Sequence, residues 1–463
     1  MLGKQAKSKA IIKNVLARIK PSDKECLEEI NFTNSLIRKI KALEGNHVDV
    51  IVAGSTARNT HIKGDRDIDL FVLFPEELIK EDFVEEGLKI AKKIFKGHEW
   101  EEAFSEHPYI RGNIDGYAVE VVPSYKVSSA SQLKSAVDRT PFHNDYLKKR
   151  LTNKQRDHVR LLKKFLKGIG CYGAELKYNS VPGYVTELLI LRYGDFLSCI
   201  KHAAEWKRNE LIDLENYYGG EKTLRQFNSH LIIIDPVDRN RNVAAALSYN
   251  QYARFIAASQ AFLEKPSIDF FFGKKLKSIN TTILKKILHK KELVAIKLSY
   301  PKKALADIVW GQAKRLGKKI SNQLAMNNFV VNREESWTDE KTMLLLVFEL
   351  ESLSLQRITK KIGPEVVDKA HSKRFLEVHK KAVAGPRIEN GRWIIEIERQ
   401  FIEADGFLKA YLKKNKGSEK KPISVALKKP VILDEKHIVK LYSKNKEFRE
   451  FLTSYLRGKE SFL

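Results

Sequence analysis

Cysteine is scarce in this chain. There are three in 463 residues, Cys26, Cys171 and Cys199, odd in number and far apart. That argues against a disulfide framework or a cysteine zinc site and makes the cell interior, as a cytoplasmic chain, the expected home. No run of about 18 apolar residues occurs, so no membrane span is expected. The basic opening, MLGKQAKSKAIIKNVLARIK, spaces its apolar positions helically, and no signal-peptide apolar block follows. A Walker-type phosphate loop is missing. Gly168, Gly170 and Gly173 in GIGCYG match a dinucleotide fingerprint by letter, but a lysine-rich helical pattern precedes them instead of a strand. They read as the end of that helix. Acidic residues are in deficit as well, 58 against 84 Lys+Arg, a net charge of +26. A one-signed excess of this size points to a nucleic-acid partner. The plainer alternative is a charged surface suited to heat or salt.

Apolar residues make up 43% of the chain, enough for a globular protein. The length calls for roughly two to four domains. Helical periodicity covers 4–19 and 25–44. HVDVIVAGS and IDLFVLF read as strands, FVEEGLKIAKKIF as a helix, and HPYIRGNIDGYAVEVVPSY as two strands turning at Asp115-Gly116. From 151 to 263 the pattern is helical, interrupted by the strand HLIIIDPVD. Beyond that, ELVAIKLSY, a long helix, FVVNREES and KTMLLLVFELE make a β-α-β-β run, a ferredoxin-like fragment. Residues 356–463 read as lysine-rich loops with a basic final helix. The fold class is therefore α+β and multidomain.

The chemistry concentrates in VAGSTARNTHIKGDRDIDLFVLF, residues 52–74. A strand ending in Gly54-Ser55 and entering a helix leaves backbone N–H groups free for a phosphate, although plain helix capping explains the same residues. Asp67 and Asp69 stand two apart and share one face of the next strand. Glu120, in AVEVVP, lies in another apolar strand of the same expected sheet. Three converging carboxylates repel one another unless a cation lies between them, and magnesium favours carboxylate with phosphate oxygens. Glu120 alone also reads as an ordinary solvent-side strand residue.

These residues, with GSTARNTHIKG, EHPYIRG, VVPSYK, KSAVDRTPFH, VRLLKKFLK…YGAELK, DPVDRNRNVAAALS and a looser NGRW, resemble the archaeal (class I) CCA-adding enzymes, tRNA nucleotidyltransferases of the polymerase-β type. The resemblance implies a polymerase-β-like nucleotidyltransferase α/β head over 1–145. It further implies a mostly helical central nucleotide-binding domain over 146–275 and a tRNA-binding, ferredoxin-like C-terminal domain with a tail over 276–463. It implies template-independent addition of CCA to the acceptor end of tRNA from CTP and ATP, with Mg2+ at Asp67, Asp69 and Glu120. By the same resemblance Ser55 and Arg58 face the triphosphate and reacting groups, and Lys163 and Tyr172 grip the phosphates. His107 and His143 line the nucleotide pocket, and Arg241 reads the base edge. The family pattern places Glu at position 67 and Asp at position 120; here each is the other acid, so metal binding survives while the ligand geometry at Glu120 changes. A homodimer is left open and no membrane partner is implied. A poly(A)- or oligoadenylate-type polymerase shares the acid trio, and a non-catalytic RNA-binding module accounts for the charge but not for the acids.

Overall fold

Apolar residues three and four apart make the first two elements helices, α1 (Leu2–Ile19) and α2 (Asp23–Glu44). The computed structural model describes all residues except Met1, 45–47, Ser105, 220–225, Lys275 and Lys303, and leaves aside the side chains of 2–5 and 44. The expected first strand begins at His47, outside the described residues. What is described runs as β1 (Asp49–Ala53), followed directly by α3 (Gly54–Ala57), a single turn where the sequence suggests a longer helix. Asn59 at positive φ ends it within a few residues.

After β2 (Asp67–Phe74), α4 (Lys80–Ile94), β3 (Trp100–Phe104), β4 (Pro108–Ile114) and β5 (Tyr117–Tyr125), the first sheet is complete. Its order is β1-β2-β5-β4-β3, with β2 and β5 parallel and every other pair antiparallel. The β4–β5 turn is Asp115-Gly116, both at positive φ, as the two-residue hairpin signal requires. One face of the sheet packs Ile68, Leu70, Val72, Val119 and Val121 against Leu36 of α2 and Phe83 and Ile90 of α4. Asp67, Asp69 and Glu120 alternate with those residues and so occupy the other face.

The next stretch is mainly helical: α5 (Arg139–Arg150), α6 (Asn153–Gly168), α7 (Gly183–Tyr193) and α8 (Phe196–Glu205), then a small sheet of β6 (Glu210–Ile212), β7 (Leu231–Asp235) and β8 (Asp238–Asn242), then α9 (Tyr249–Glu264) and the turn α10 (Asp269–Phe272). The expected division at 145/146 falls inside α5. Gly168 ends α6, and Gly170 and Gly173 follow at positive φ, the geometry of a helix end. A phenylalanine cluster of Phe165, Phe196, Phe262, Phe270 and Phe271 forms the middle of this core. Residues 1–275 with 459–463 form one compact unit, and 276–458 form a second.

In the second unit α11 (Thr281–Lys290) precedes β9 (Leu293–Ser299), α12 (Ala306–Met326), β10 (Val331–Thr338) and β11 (Met343–Leu350). An inserted sheet follows, of β12 (Ile358–Glu365), β13 (Ala384–Glu389) and β14 (Arg392–Glu398) with α13 (Lys369–Val378), in a stretch the sequence suggests is loop. Its strands mix lysines with isoleucines and contain Gly385-Pro386, which hides the alternation. The chain then forms α14 (Ala404–Lys414), α15 (Ile423–Ala426), β15 (Val431–Leu433), α16 (Glu435–Lys444) and α17 (Lys446–Arg457). The main sheet order, β10-β11-β9-β15, completes the ferredoxin-like arrangement begun by the β-α-β-β run.

Candidate active site

The parallel register of β2 and β5 sets Asp69 directly beside Glu120, with Asp67 one step along the same face, paired with Ala118. Burial raises all three acids above the ordinary carboxylate range. Asp65 adds to the rise at Asp67, Asp67 adds to it at Asp69, and Asp69 adds to it at Glu120, which is pushed up to about 7. Positive groups oppose the rise, Lys163 and Lys167 at Asp67, Arg58 and Lys163 at Asp69, and Arg111 at Glu120. Arg111 is the cross-strand neighbour of Glu120 on β4 and is itself held by Glu101, Nε to Oε1 at 2.7 Å. The arrangement is short of positive charge.

The β1–β2 connection closes over this face. Gly54 has φ +71, and a β-carbon there would lie 1.8 Å from Asp69 Oδ2. The hydroxyl of Thr56 donates to the carbonyl of Asp67 at 2.6 Å and pins the turn that carries Ser55 to the acidic strand. Arg58 leaves this turn inward. Its Nε and Nη2 donate to the two carboxylate oxygens of Glu187 on α7 at 3.0 and 2.8 Å, and its Nη1 reaches Asn144 Oδ1 at 3.4 Å. Thr60 donates to Glu187 Oε1 at 2.5 Å, and Lys163 Nζ donates to the carbonyl and hydroxyl oxygens of Thr60 at 3.2 and 3.3 Å. Burial pushes Glu187 up, but Arg58 and Lys163 outweigh it and hold the acid below its usual value. Burial brings Lys163 down to about 8 despite Glu187.

The remaining expected residues separate into three places. Tyr172 bridges to Val181, with Lys167 Nζ 5.3 Å from its ring centre, and Lys167 pairs with Asp65 at 2.6 Å. His143 and Arg241 meet on one carboxylate, Asp235 at the end of β7, each at 2.8 Å. The His143 ring also stacks on Tyr184 at 4.1 Å. His107 lies on the helix-covered side of the sheet, its Nε2 2.7 Å from the Pro123 carbonyl and its ring edge against Phe83. It is not brought to the carboxylate face. Glu187 and Asp235 are absent from the sequence reading. A lone acid in the apolar run of GYVTELLILRY is the signal that marks Glu187; Asp235, within DPVD, reads locally as a turn residue.

Three family models match in succession: "Nucleotidyltransferase domain" over 34–143, "tRNA nucleotidyltransferase, second domain" over 157–272, and "CCA-adding enzyme, C-terminal domain" over 290–434. The CCA-adding enzyme of Methanothermobacter thermautotrophicus is 33% identical over 449 residues, 96% of this chain and 97% of that protein. The chain belongs to the CCA-adding enzymes. That of Methanocaldococcus jannaschii is 38% identical over 390 residues, 80% of this chain and 84% of its own length. Among solved structures, a cytoplasmic RNA terminal U-transferase aligns over 58% of this chain and 100% of its own, at 17% identity and a TM-score of 0.45. A CCA-adding enzyme builds CCA onto tRNA without a nucleic-acid template, and that is the activity of this chain.

Nucleotidyltransferases of this family use divalent metal ions. The donor set here suits one, because Asp67 is exposed at the mouth of the face while Asp69 and Glu120 are half-buried, Asp67 raises Asp69, Asp69 raises Glu120, and a cation relieves that repulsion. Among the described residues no group of three or more His, Cys, Asp or Glu side chains is placed to hold a metal ion by itself. Coordination shared between carboxylates and substrate phosphates does not require such a group. Also among the described residues, no helix is long and apolar enough to cross a membrane.

Proposed function

We propose that Asp67, Asp69 and Glu120 are the catalytic, metal-binding residues of this CCA-adding enzyme, that the metal is magnesium, and that CTP and ATP are consumed at the tRNA acceptor end in the cytoplasm. The observation that supports this reading is the register setting Asp69 beside Glu120 under the Gly54 turn. Bound magnesium supplies charge neutralisation at the triphosphate and acidification of the tRNA 3′-hydroxyl. The 3′-oxygen attacks the α-phosphorus in line, the bond to the bridging oxygen breaks, and pyrophosphate leaves.

The chain's own groups place the reactants. Ser55 lies on the turn above the acids, and its hydroxyl faces the triphosphate. Lys163, on α6, and Tyr172, in the segment after it, hold the phosphates. Arg58, fixed on Glu187, keeps the turn in place and favours the ionised form of Asp69. His107 braces β5 from behind through Pro123, three residues beyond Glu120. His143 and Arg241 form the base side of the nucleotide site. Cytosine and adenine each present an amino group beside a ring-nitrogen acceptor, whereas uracil and guanine present a carbonyl beside an N–H. An Arg241 N–H donated to that ring nitrogen penalises the wrong pair, since the polar groups are then left unmatched. Residues 276–458 hold the tRNA by its backbone and shape, as suits an enzyme that serves every tRNA.

The test is substitution without change of size. Asp67→Asn, Asp69→Asn and Glu120→Gln are each expected to reduce CTP incorporation to background while tRNA binding and the thermal midpoint hold. Incorporation near the wild-type rate in Asp69→Asn would remove the assignment. Glu120→Asp, which restores the usual family residue, is expected to change the rate only modestly.

A further inference from the structure

Arg241 and His143 stand on different elements, β8 and α5, yet both end on Asp235. This carboxylate is fully buried at the end of β7. Its Oδ2 accepts Arg241 Nη1 at 2.8 Å and His143 Nε2 at 2.8 Å, and its Oδ1 accepts the Val237 backbone N–H at 3.1 Å. Oδ1 also lies 3.1 Å from His143 Nε2. Among the described residues Arg241 is anchored at one nitrogen, and 41% of its side chain stays exposed. The guanidinium carries five N–H donors in a rigid plane, so anchoring one nitrogen narrows the range of directions in which the others point. A free arginine of this exposure would sample several rotamers.

We infer that Asp235 is a specificity-positioning residue: it anchors the Arg241 guanidinium at one end so that the remaining donors meet the base edge of the incoming nucleotide from a narrowed range of orientations. This rests on the reading of Arg241 as the base-edge donor. Asp235 touches no substrate in this scheme. It acts by restricting a side chain that must otherwise be ordered when CTP or ATP binds, a cost not borne by a nucleotide that does not use the contact, and its loss is expected to lower discrimination roughly two- to tenfold. The His143 ring, stacked on Tyr184, donates to the same carboxylate oxygen and helps hold it in place.

The experiment compares kcat/KM for CTP, ATP, UTP and GTP in wild type, Arg241→Ala, Asp235→Asn, Asp235→Glu and the double variant Arg241→Ala/Asp235→Asn. The substrate is tRNA ending at the discriminator base for one set and in CC for the other. Asp235→Asn is expected to reduce the preference for CTP over UTP several-fold, with CTP turnover less affected than the ratio. The double variant should discriminate no worse than Arg241→Ala alone, because the two residues act as one unit. Asp235→Glu keeps the charge and displaces it, and is expected to lose discrimination as well. If Arg241→Ala loses discrimination while both Asp235 variants keep it, the anchoring role is overturned and the reading of Arg241 stands. If Arg241→Ala discriminates like wild type, that reading falls and the anchoring role with it. Equal slowing for all four nucleotides in the Asp235 variants, or loss of the thermal transition in both, makes Asp235 structural and overturns the inference.

Discussion

Asp69 lies over Gly54 so closely that a β-carbon at position 54 would meet its Oδ2 at 1.8 Å. The backbone there has φ +71, which disfavours a side chain independently. Turn and carboxylate therefore fit only with glycine. Gly54→Ala is expected to displace the Asp69 carboxylate and reduce kcat by about a hundredfold, the usual effect of a misplacement near 1 Å. Binding of tRNA, proposed above to rest on residues 276–458, should hold. Steady-state CTP incorporation beside a filter-binding measurement checks both, and wild-type turnover would show that Asp69 moves without consequence.

The buried network around Glu187 carries a stability prediction. Glu187→Ala leaves the Arg58 guanidinium and the Lys163 ammonium facing a cavity without their counter-charge. Removing one partner of a buried pair destabilises by about 3–5 kcal/mol. A marked drop in thermal midpoint is expected in Glu187→Ala, with part of it regained when Arg58 is also replaced by leucine. A melt unchanged from wild type would mean the network does not hold the turn against α6 and α7.

How much of this was legible beforehand differs residue by residue. Asp67 and Asp69 announce themselves because carboxylates two apart in an apolar strand share a face, and Asp115-Gly116 announces its hairpin because both residues tolerate positive φ. Glu187 does not, since its meaning comes from Arg58, 129 positions earlier in the chain. Asp235 is hidden for the same reason: its partners lie 92 and 6 positions away, and only the fold brings both to it. His107 is a nucleotide contact only by the family resemblance, and it lies on the helix-covered side of the sheet, because which side a neighbouring loop packs on is decided by α4 and Phe83. The inserted sheet β12–β14 escapes because its lysines and Gly385-Pro386 break the period-two pattern.

The acids predict a pH dependence of stability. Asp67, Asp69 and Glu120 have folded-state pKa values above their unfolded ones, Glu120 at about 7. Their contribution to stability is full below the unfolded values and is lost as pH rises through the folded ones. In chelator the thermal midpoint should therefore carry a component that falls between about pH 5 and about pH 8. Added magnesium should raise the midpoint more at the upper end than at the lower. Glu120→Gln should flatten the profile; a profile identical to wild type would place the titration elsewhere.

Binding of tRNA should weaken steeply with salt, because phosphates met by lysine and arginine release counterions. The exposed lysines of the last turn of α14 and the loop beyond it, Lys413, Lys414, Lys416 and Lys420, form one dense basic stretch of the second unit. Changing all four to alanine is expected to lower tRNA affinity and reduce the slope of log affinity against log salt, while CTP affinity stays unchanged. Unaltered affinity and slope would move the RNA surface away from this stretch.

The most direct test of the whole account is a single gel. The purified chain is incubated with magnesium and tRNA that ends at the discriminator base, with each labelled nucleotide alone and then with CTP and ATP together. Two C residues from CTP alone, one further A only when ATP is also present, no extension from UTP or GTP, and no product at all from Asp69→Asn are the predicted result. Long runs of A from ATP alone, or full extension by the Asp69→Asn variant, would contradict it.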